Sequence, residues 1–380
     1  MMTPVTTRAD PSLDLLLADL RELVECESPS SDLAAVERSA DLVARLGAAR
    51  LGTEPERIVV DGVHHLRWRF GSATDGVLVL AHHDTVWPLG SLGRHPYGVV
   101  EGVLRGPGCF DMLAGLVMAL HAIADLGDRD GVTLLVTGDE ELGSASSRAL
   151  IEDEARRASA VLVLEASADG GALKTGRKGT SFYEIEIAGR SAHAGLEPEK
   201  GVNATVELAH QVLAAAALAD SAAGTSVTPT VATSGVTANT VPASARFTVD
   251  VRAWSMAELQ RVDASVRTLR PALQGAEVRV LGDINRPPLE ESASLPLFER
   301  AQAVAAGLGM PLLARASVGG ASDGNFTAGV GTPTLDGLGA VGGGAHAEDE
   351  HVLVDRLVDR TVLLHALIVD LLVDRSGDRR

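Results

Sequence analysis

The chain has 380 residues, enough for two domains of ordinary size, and 46% of them are apolar, so it can bury a large core. Its 51 acidic and 33 basic residues give a formal net charge of −18. This charge argues against nucleic acid or an anionic membrane surface as a partner, because both require clustered Lys and Arg.

The sequence carries no sign of export or of a membrane span. The first eleven residues, MMTPVTTRADP, lack the continuous apolar segment of a signal peptide. No run of about 18 apolar residues occurs, since the best candidate, residues 362–373, is interrupted by His365 and Asp370. The two cysteines, Cys26 and Cys109, form neither a disulfide framework nor a cysteine zinc site. The expected location is the reducing cytoplasm.

Helical and strand patterns alternate along the first half of the chain. Apolar residues at helical spacing predict helices over residues 13–25, 30–46 and 113–126. Short apolar runs typical of buried strands span residues 76–81, 132–137 and 161–164. Strands separated by helices indicate an α/β fold with a mixed, largely parallel sheet.

The pattern changes near Thr175, where the alternation typical of half-exposed strands begins. The next elements are predicted in the order β-α-β-β-α-β, over residues 181–188, 202–219, 226–234, 245–253, 256–273 and 276–281. This order is that of a ferredoxin-like unit. The earlier pattern resumes after Pro288. We therefore expect residues 176–287 to be a small domain inserted into a larger one, made of 1–175 and 288–380.

Charged side chains follow three of the predicted strands of the larger domain. His82 and Asp84 come directly after VLVLA, Glu140 and Glu141 come just after LLVTGD, and Glu165 ends VLVL. Ligands bind at the carboxyl ends of the strands in open α/β sheets, so these side chains are expected to converge there. Any one of them has a simpler explanation, such as a solvated surface acid. Their convergence is what indicates a site.

The residue types suit a metal centre. Imidazole nitrogen and carboxylate oxygen are normal zinc ligands, and two metals need a bridging carboxylate. In an extended segment Asp84 shares a face with His82, so its carboxylate can fix the imidazole of a metal-bound histidine. Glu140 stands beside a candidate ligand and suits general base catalysis.

Five motifs extend this pattern across almost the whole chain: HHDTV, GPGCFDMLAG, GDEELGS, VLEAS and GGGAHAEDE. In this order they resemble the di-zinc peptidases and deacylases that include glutamate carboxypeptidase (the carboxypeptidase G type), acetylornithine deacetylase, succinyl-diaminopimelate desuccinylase and aminoacylase. The resemblance implies two zinc ions per subunit, with cobalt or manganese as alternatives. The implied ligands are His82 and Glu165 on one ion, Glu141 and His346 on the other, and Asp111 as the bridge. It also implies Glu140 as the base and Asp84 as the support of His82.

The inserted segment contains GRSAHAGLEPEKGVNA, which resembles the lid-domain signature of the carboxypeptidase G branch. The resemblance implies that residues 176–287 form a lid and dimerisation domain, and that His193 stabilises the oxyanion in the active site of a partner subunit. The segment NTVPASARFTVDVR matches the same branch and implies Asn239 and Arg252 as substrate contacts. Lys178 and Arg286 are further candidates near the domain junctions.

The expected function is hydrolysis of the amide bond of an N-acyl amino acid or peptide with a free C-terminal carboxylate, by a cytoplasmic homodimer. A deacetylase or aminopeptidase of the same family is an alternative. A non-catalytic metal- or ligand-binding protein that keeps the fold is another, although such a protein should lack a ligand or the base. The acyl group of the substrate is left open.

The run GLGAVG, residues 337–342, has the spacing of a dinucleotide-binding fingerprint. It continues into GGAH, which is no helix start, so the match is expected to be a coincidence.

Overall fold

The computed structural model describes residues 11–71 and 74–377. The segment 1–10, which contains most of the stretch examined for a signal peptide, lies outside the described residues. Within the described part of the chain, no helix is long and apolar enough to cross a membrane.

The described chain divides into two compact units. The first comprises the described residues of Met1–Gly176, Glu291–Val318 and Ser322–Arg380, and the second comprises Arg177–Glu290 and Gly319–Ala321. The α-helices are Leu13–Glu25 (α1), Leu33–Leu51 (α2), Ala114–Ala124 (α3), Arg148–Arg157 (α4), Ala204–Ala216 (α5), Met256–Val266 (α6), Glu291–Gly307 (α7), Gly324–Gly329 (α8) and Leu357–Gly377 (α9). The β-strands are Glu56–Val60 (β1), Val63–Arg69 (β2), Gly76–His82 (β3), Gly98–Val100 (β4), Val103–Arg105 (β5), Val132–Thr137 (β6), Ala158–Val163 (β7), Leu173–Arg177 (β8), Gly179–Ala188 (β9), Ala192–His193 (β10), Ser226–Ser234 (β11), Thr240–Val241 (β12), Ser244–Ala253 (β13), Glu277–Arg286 (β14), Arg315–Val318 (β15), Thr334–Leu335 (β16), Gly342–Gly343 (β17) and His351–Leu353 (β18).

The first unit is built on a six-stranded sheet in the order β1-β2-β6-β3-β7-β16. Strands β6, β3, β7 and β16 are parallel, whereas β1 and β2 form an antiparallel edge. The predicted mixed, largely parallel α/β sheet is therefore confirmed. The edge strands β1 and β2 were not predicted, because their residues are less uniformly apolar than those of β3.

Strand β3 is buried along its whole length because both faces of the sheet are covered. Val77 and Val79 pack into the main core, with residues of α1, α2, α3 and α9. Leu78 and Leu80 point to the other face, where they pack with α4 and with Phe326 of α8. The apolar run in the sequence thus fixes the middle of the sheet, from which the site residues project.

The second unit contains a four-stranded antiparallel sheet in the order β11-β13-β9-β14. With α5 and α6, its element order is β-α-β-β-α-β. Alternate residues of β9 and β13, such as Ile185 and Phe247, are buried in a core shared with the two helices. The buried face of this sheet is covered by α5 and α6, so the unit has a hydrophobic core of its own.

Two of the helices that differ from their predicted bounds do so for identifiable reasons. Helix α2 begins at Leu33 rather than residue 30, because Ser30 donates its backbone N–H to the carbonyl of Thr85 and Asp32 caps the helix instead. Helix α6 ends at Val266 rather than residue 273. The segment after it is bound by Glu207 of α5, whose carboxylate accepts the backbone N–H groups of Ala272 and Leu273.

Candidate metal centre

Three adjacent parallel strands of the first unit end at the same edge of the sheet. Strand β3, which lies between β6 and β7, ends at His82. The turn after β6 carries Glu140 and Glu141, and Glu165 follows β7 by two residues. The strand order therefore brings the side chains predicted at the strand ends to one place.

The five candidate metal ligands lie together in two groups that share Asp111. His82 Nε2 lies 3.7 Å from Asp111 Oδ1 and 3.4 Å from Glu165 Oε1. His346 Nε2 lies 3.2 Å from Asp111 Oδ2 and 3.2 Å from Glu141 Oε1. Asp111 thus directs one oxygen to each histidine. This is the arrangement that a bridging carboxylate requires, with an imidazole and a carboxylate on each side.

The donor set fits a metal. His82 is 2% exposed, and its Nε2 is a buried nitrogen with no hydrogen-bond partner in the described structure. The backbone carbonyl of Asp84 lies 3.0 Å from His82 Nδ1, which leaves Nε2 facing the carboxylates. Burying such a group of acids needs a compensating cation. The carboxylates of Asp111 and Glu141 accordingly raise the pKa of His346 to about 10, and burial raises the pKa of Glu141.

The Asp84 carboxylate contacts other residues besides His82. Its Oδ1 lies 3.4 Å from His82 Nδ1, but the carboxylate also accepts the Ser30 hydroxyl at 2.6 Å and the backbone N–H groups of Glu140 and Glu141, each at 3.2 Å. Burial alone would raise the pKa of Asp84, but the hydrogen bonds from His82 and Ser30 hold it below its usual value. The carboxylate is therefore ionised and organises both sides of the site.

Glu140, the predicted base, is itself buried, with 8% exposure. One of its oxygens can lie within 4.8 Å of ligand atoms of both His82 and Glu165. The carboxylate thus lies at the metal centre while the backbone of the residue is held by Asp84.

A network of hydrogen bonds that was not predicted from the sequence holds the turn of Glu140 and Glu141. Asp139 accepts the backbone N–H and the hydroxyl of Ser146, each at 2.7 Å, and the Ser147 hydroxyl at 2.5 Å. His65 Nε2 lies 3.1 Å from the Ser146 hydroxyl. An acidic residue followed by serines is the only local signal, and it does not identify His65 from a distant strand.

Glycines place the last candidate ligand, His346. Gly342 in β17 pairs with β18 so closely that a Cβ on it would lie 1.9 Å from the His351 carbonyl oxygen. Gly344 and His346 both adopt left-handed backbone conformations, with φ of 76° and 62°. The glycine run is therefore what lets the chain turn the imidazole toward Asp111. Glu350, four residues further on, was also missed.

The run 337–342 has a structural explanation. Gly339 donates its backbone N–H to the Glu165 carbonyl at 2.9 Å, and a Cβ on Gly339 would lie 2.2 Å from the Leu164 carbonyl oxygen. The buried guanidinium of Arg360 donates to the carbonyls of Gly337 and Gly339. These glycines pack the loop against the segment of Leu164 and Glu165 that follows β7, and residues 343–350, directly after the run, are not helical.

His193 and Asn239 lie next to each other in the second unit. Both are exposed, and the Asn239 carbonyl accepts the backbone N–H of Ala194 at 2.9 Å. His193 Nδ1 accepts the backbone N–H groups of Gly195 and Leu196, each at 3.1 Å. Because Nδ1 is an acceptor, the ring proton lies on Nε2, which faces outward as a donor.

The remaining predicted substrate contacts also belong to the second unit. Arg252 binds the Asp250 carboxylate through two hydrogen bonds, at 3.0 and 3.1 Å. Lys178 donates to the Gly224 carbonyl at 2.5 Å, with its ammonium 5.2 Å from the centre of the Trp254 ring. Arg286 is 6% exposed, at the end of β14. Of the four predicted substrate contacts, Asn239 is exposed, Arg252 and Lys178 are half-buried, and Arg286 is buried.

Comparison with known proteins finds a matching family profile, related sequences and solved structures of the same fold. Residues 78–370 match the profile of peptidase family M20/M25/M40. The chain is 33% identical to carboxypeptidase G2 from Pseudomonas sp. (strain RS-16), over 79% of this chain and 75% of that protein. It is 29% identical to succinyl-diaminopimelate desuccinylase from Methylorubrum extorquens (strain PA1), over 81% of this chain and 86% of that protein. Aminopeptidase PepT from Bacillus cereus has the same fold, with a TM-score of 0.75 at 21% identity over 95% of this chain and 99% of that one.

Proposed function

Because the chain belongs to peptidase family M20/M25/M40 and is a hydrolytic enzyme, we propose that it cleaves the amide bond of an N-acyl amino acid or peptide with a free C-terminal carboxylate. The observation that carries the proposal is the convergence of His82, Asp111, Glu141, Glu165 and His346 beside the buried carboxylate of Glu140. The 33% identity to a protein named as a carboxypeptidase favours this reaction over the alternatives.

The cofactor in this proposal is a pair of zinc ions, with cobalt or manganese as alternatives that accept the same donors. His82 and Glu165 would hold one ion, Glu141 and His346 the other, and Asp111 both. When bound, such a pair would polarise the amide carbonyl and lower the pKa of the attacking water.

Glu140 serves as the base and then as the acid. It takes a proton from the attacking water and delivers it to the nitrogen of the leaving amine. The contact between its backbone N–H and Asp84 supports this role, since it fixes the backbone of the residue beside the cluster.

His193 stabilises the oxyanion in this proposal, and it comes from the partner subunit of a homodimer formed through the second unit. The Nε2–H that its two backbone contacts leave facing outward is the required donor. Strand β11 supports the dimer, because it is an edge strand paired only to β13 within its four-stranded sheet, and it exposes Val231. A cytoplasmic location is supported by two free cysteines.

Arg252 binds the free carboxylate of the substrate. Asp250 already orients its guanidinium, and the remaining nitrogen has only a long contact, 3.4 Å, to the Gly319 carbonyl. That nitrogen is available for a carboxylate oxygen. Asn239, Lys178 and Arg286 are the further substrate contacts of this proposal.

A substrate panel tests the proposed reaction. Zinc-reconstituted protein is assayed on N-acyl amino acids, the same compounds with an amidated C-terminus, and peptides with a free N-terminus. We expect turnover of the free acids and loss of turnover on amidation. Glu140→Ala should lower kcat by about 10²–10⁴-fold and leave the zinc content unchanged. Equal turnover of free and amidated compounds would favour the deacetylase or aminopeptidase alternative.

A further inference from the structure

Glu350 is a buried carboxylate next to the metal centre that is not one of its ligands. It is 3% exposed and accepts four hydrogen bonds. Its Oε1 accepts the backbone N–H groups of Phe110 at 2.9 Å and Asp111 at 3.0 Å. Its Oε2 accepts the backbone N–H of Gly108 at 2.9 Å and the indole N–H of Trp87 at 2.7 Å.

These four partners specify a carboxylate. All of them donate, so a protonated or amide side chain would have to place a donor against another N–H group. Three of them come from the same short turn, residues 108–111, whose backbone amides face a single anion. The turn begins at Gly108, which has a φ of 69° and leaves no room for a Cβ beside Thr85. The turn is thus wrapped around Glu350.

Glu350 connects the two loops that carry Asp111 and His346. It lies four residues after His346 and donates its own backbone N–H to the Ala347 carbonyl at 3.0 Å. Its side chain holds the backbone of Asp111, whose Oδ2 faces His346 at 3.2 Å. In contrast, His82 and Glu165 stand at or just after the ends of neighbouring parallel strands, where the sheet itself fixes them.

We propose that Glu350 is a positioning residue for the metal site made by Asp111, Glu141 and His346, and that it acts selectively on this site. The inference rests on the proposed two-metal centre. Residues that orient metal ligands typically contribute 10–100-fold to metal affinity. Removing the Glu350 charge should therefore lower the affinity for the ion held by Glu141 and His346 by that factor. The other ion should lose less affinity, because the strand ends fix two of its three ligands, His82 and Glu165.

The test measures metal retention by the holoenzyme. Wild type, Glu350→Gln and Glu348→Gln are equilibrated against zinc buffers of decreasing free concentration, and zinc per chain is counted by atomic emission. Glu348 is the matched control, because its carboxylate is in the same loop and its side chain is 85% exposed. We expect wild type and Glu348→Gln to retain two zinc ions alike. Glu350→Gln should release one of them at 10–100-fold higher free zinc.

Kinetics separate positioning from a general loss of structure. Glu350→Gln should lose kcat with little change in KM, and added zinc should restore kcat. If Glu350→Gln is not recovered folded, Glu350→Asp is tested in its place, because it keeps the charge on a shorter side chain. It should weaken the binding of the same single ion. The inference is overturned if Glu350→Gln releases zinc as wild type does, or if its affinity for both ions falls equally. A wild type that never holds two ions instead overturns the two-metal centre of the proposed function.

Discussion

The carboxylate of Asp84 accepts the backbone N–H of Glu140 at 3.2 Å. It accepts the N–H of the adjacent Glu141 as well, so one buried anion holds both the proposed base and a proposed metal ligand. Asp84 stands at the end of β3 and the turn of Glu140 follows β6, the neighbouring parallel strand. The relative placement of the two loops is therefore set by a charge as well as by the sheet.

Asp84→Asn should lower kcat even though the substitution hardly changes the size of the side chain. The amide keeps the shape of the side chain but turns one acceptor into a donor, which then faces an N–H or the Ser30 hydroxyl. We expect kcat to fall by about 10–100-fold. Unfolding free energy should fall by about 1–3 kcal/mol, as for a buried partner left unsatisfied. Steady-state kinetics and urea denaturation at saturating zinc measure the two effects.

Ser30→Ala is the matched control for this prediction. It removes one hydrogen bond to Asp84 and leaves the negative charge and both backbone contacts in place. Its effect on kcat should be several-fold smaller than that of Asp84→Asn. Equal kcat in Asp84→Asn and wild type would contradict the role given to the Asp84 charge.

The strand-end part of the site could be predicted from sequence because it depends on short-range patterns. The apolar runs before His82 and Glu165 specify buried parallel strands, and such strands bring their carboxyl ends to one edge. The same logic reached Glu140 and Glu141. What it could not supply is the strand order β6-β3-β7, which makes these three ends neighbours.

The loop part of the site depends on contacts between residues far apart in sequence. His346 reaches Asp111 because Gly342 packs against the carbonyl of His351, and GGGAHAEDE alone does not show that pairing. Glu350 cannot be told from the exposed Glu348 without knowing that the turn of Asp111 surrounds it. Helix α2 was predicted three residues too early because the contact of the Ser30 backbone N–H with the Thr85 carbonyl is equally non-local.

Because of His83, the unfolding free energy of the protein should fall in mild acid. Its side chain is fully buried, with Nδ1 at 3.1 Å from the Ser39 hydroxyl and Nε2 at 3.0 Å from the His64 carbonyl, and burial lowers its pKa to about 4. The unfolded chain, with a histidine pKa near 6.5, binds more protons between these two values. The stabilising contribution is therefore complete above about pH 6.5 and is lost as the pH falls toward 4, by about 2 kcal/mol at pH 5.

The change in unfolding free energy between pH 7 and pH 5, measured with urea at saturating zinc, checks this contribution. His83→Gln is the comparison, because it has no charge to gain at either pH. Its unfolding free energy should fall less than that of wild type between the two values, whatever its absolute stability. Parallel losses in the two proteins would show that His83 does not stay neutral in the folded state.

Arg252→Lys should raise KM selectively for substrates with a free carboxylate. Lysine keeps the charge but cannot bind Asp250 and a substrate carboxylate through a planar fork. We expect KM to rise by about 10–100-fold, with a much smaller change in kcat, which corresponds to the loss of a charge-assisted hydrogen bond. Asp250→Asn is the control, since it loosens the guanidinium without removing it. An unchanged KM in Arg252→Lys would remove Arg252 from the carboxylate site.

Mixing two inactive variants tests whether His193 acts across a dimer. His193→Ala lacks the oxyanion donor and Glu140→Ala lacks the base, so each homodimer should lose about 10²–10³-fold in kcat or more. In a mixed dimer with shared sites, one site receives Glu140 and His193 from different chains and is complete, while the other lacks both. Random exchange makes half of the dimers mixed, so activity should return to about one quarter of wild type.

If both residues of a site come from one chain, each site of the mixed dimer lacks one of them and no activity returns. Co-expression of differently tagged chains, with tandem purification of the mixed dimer, raises the activity expected for shared sites to about one half of wild type and distinguishes the two arrangements.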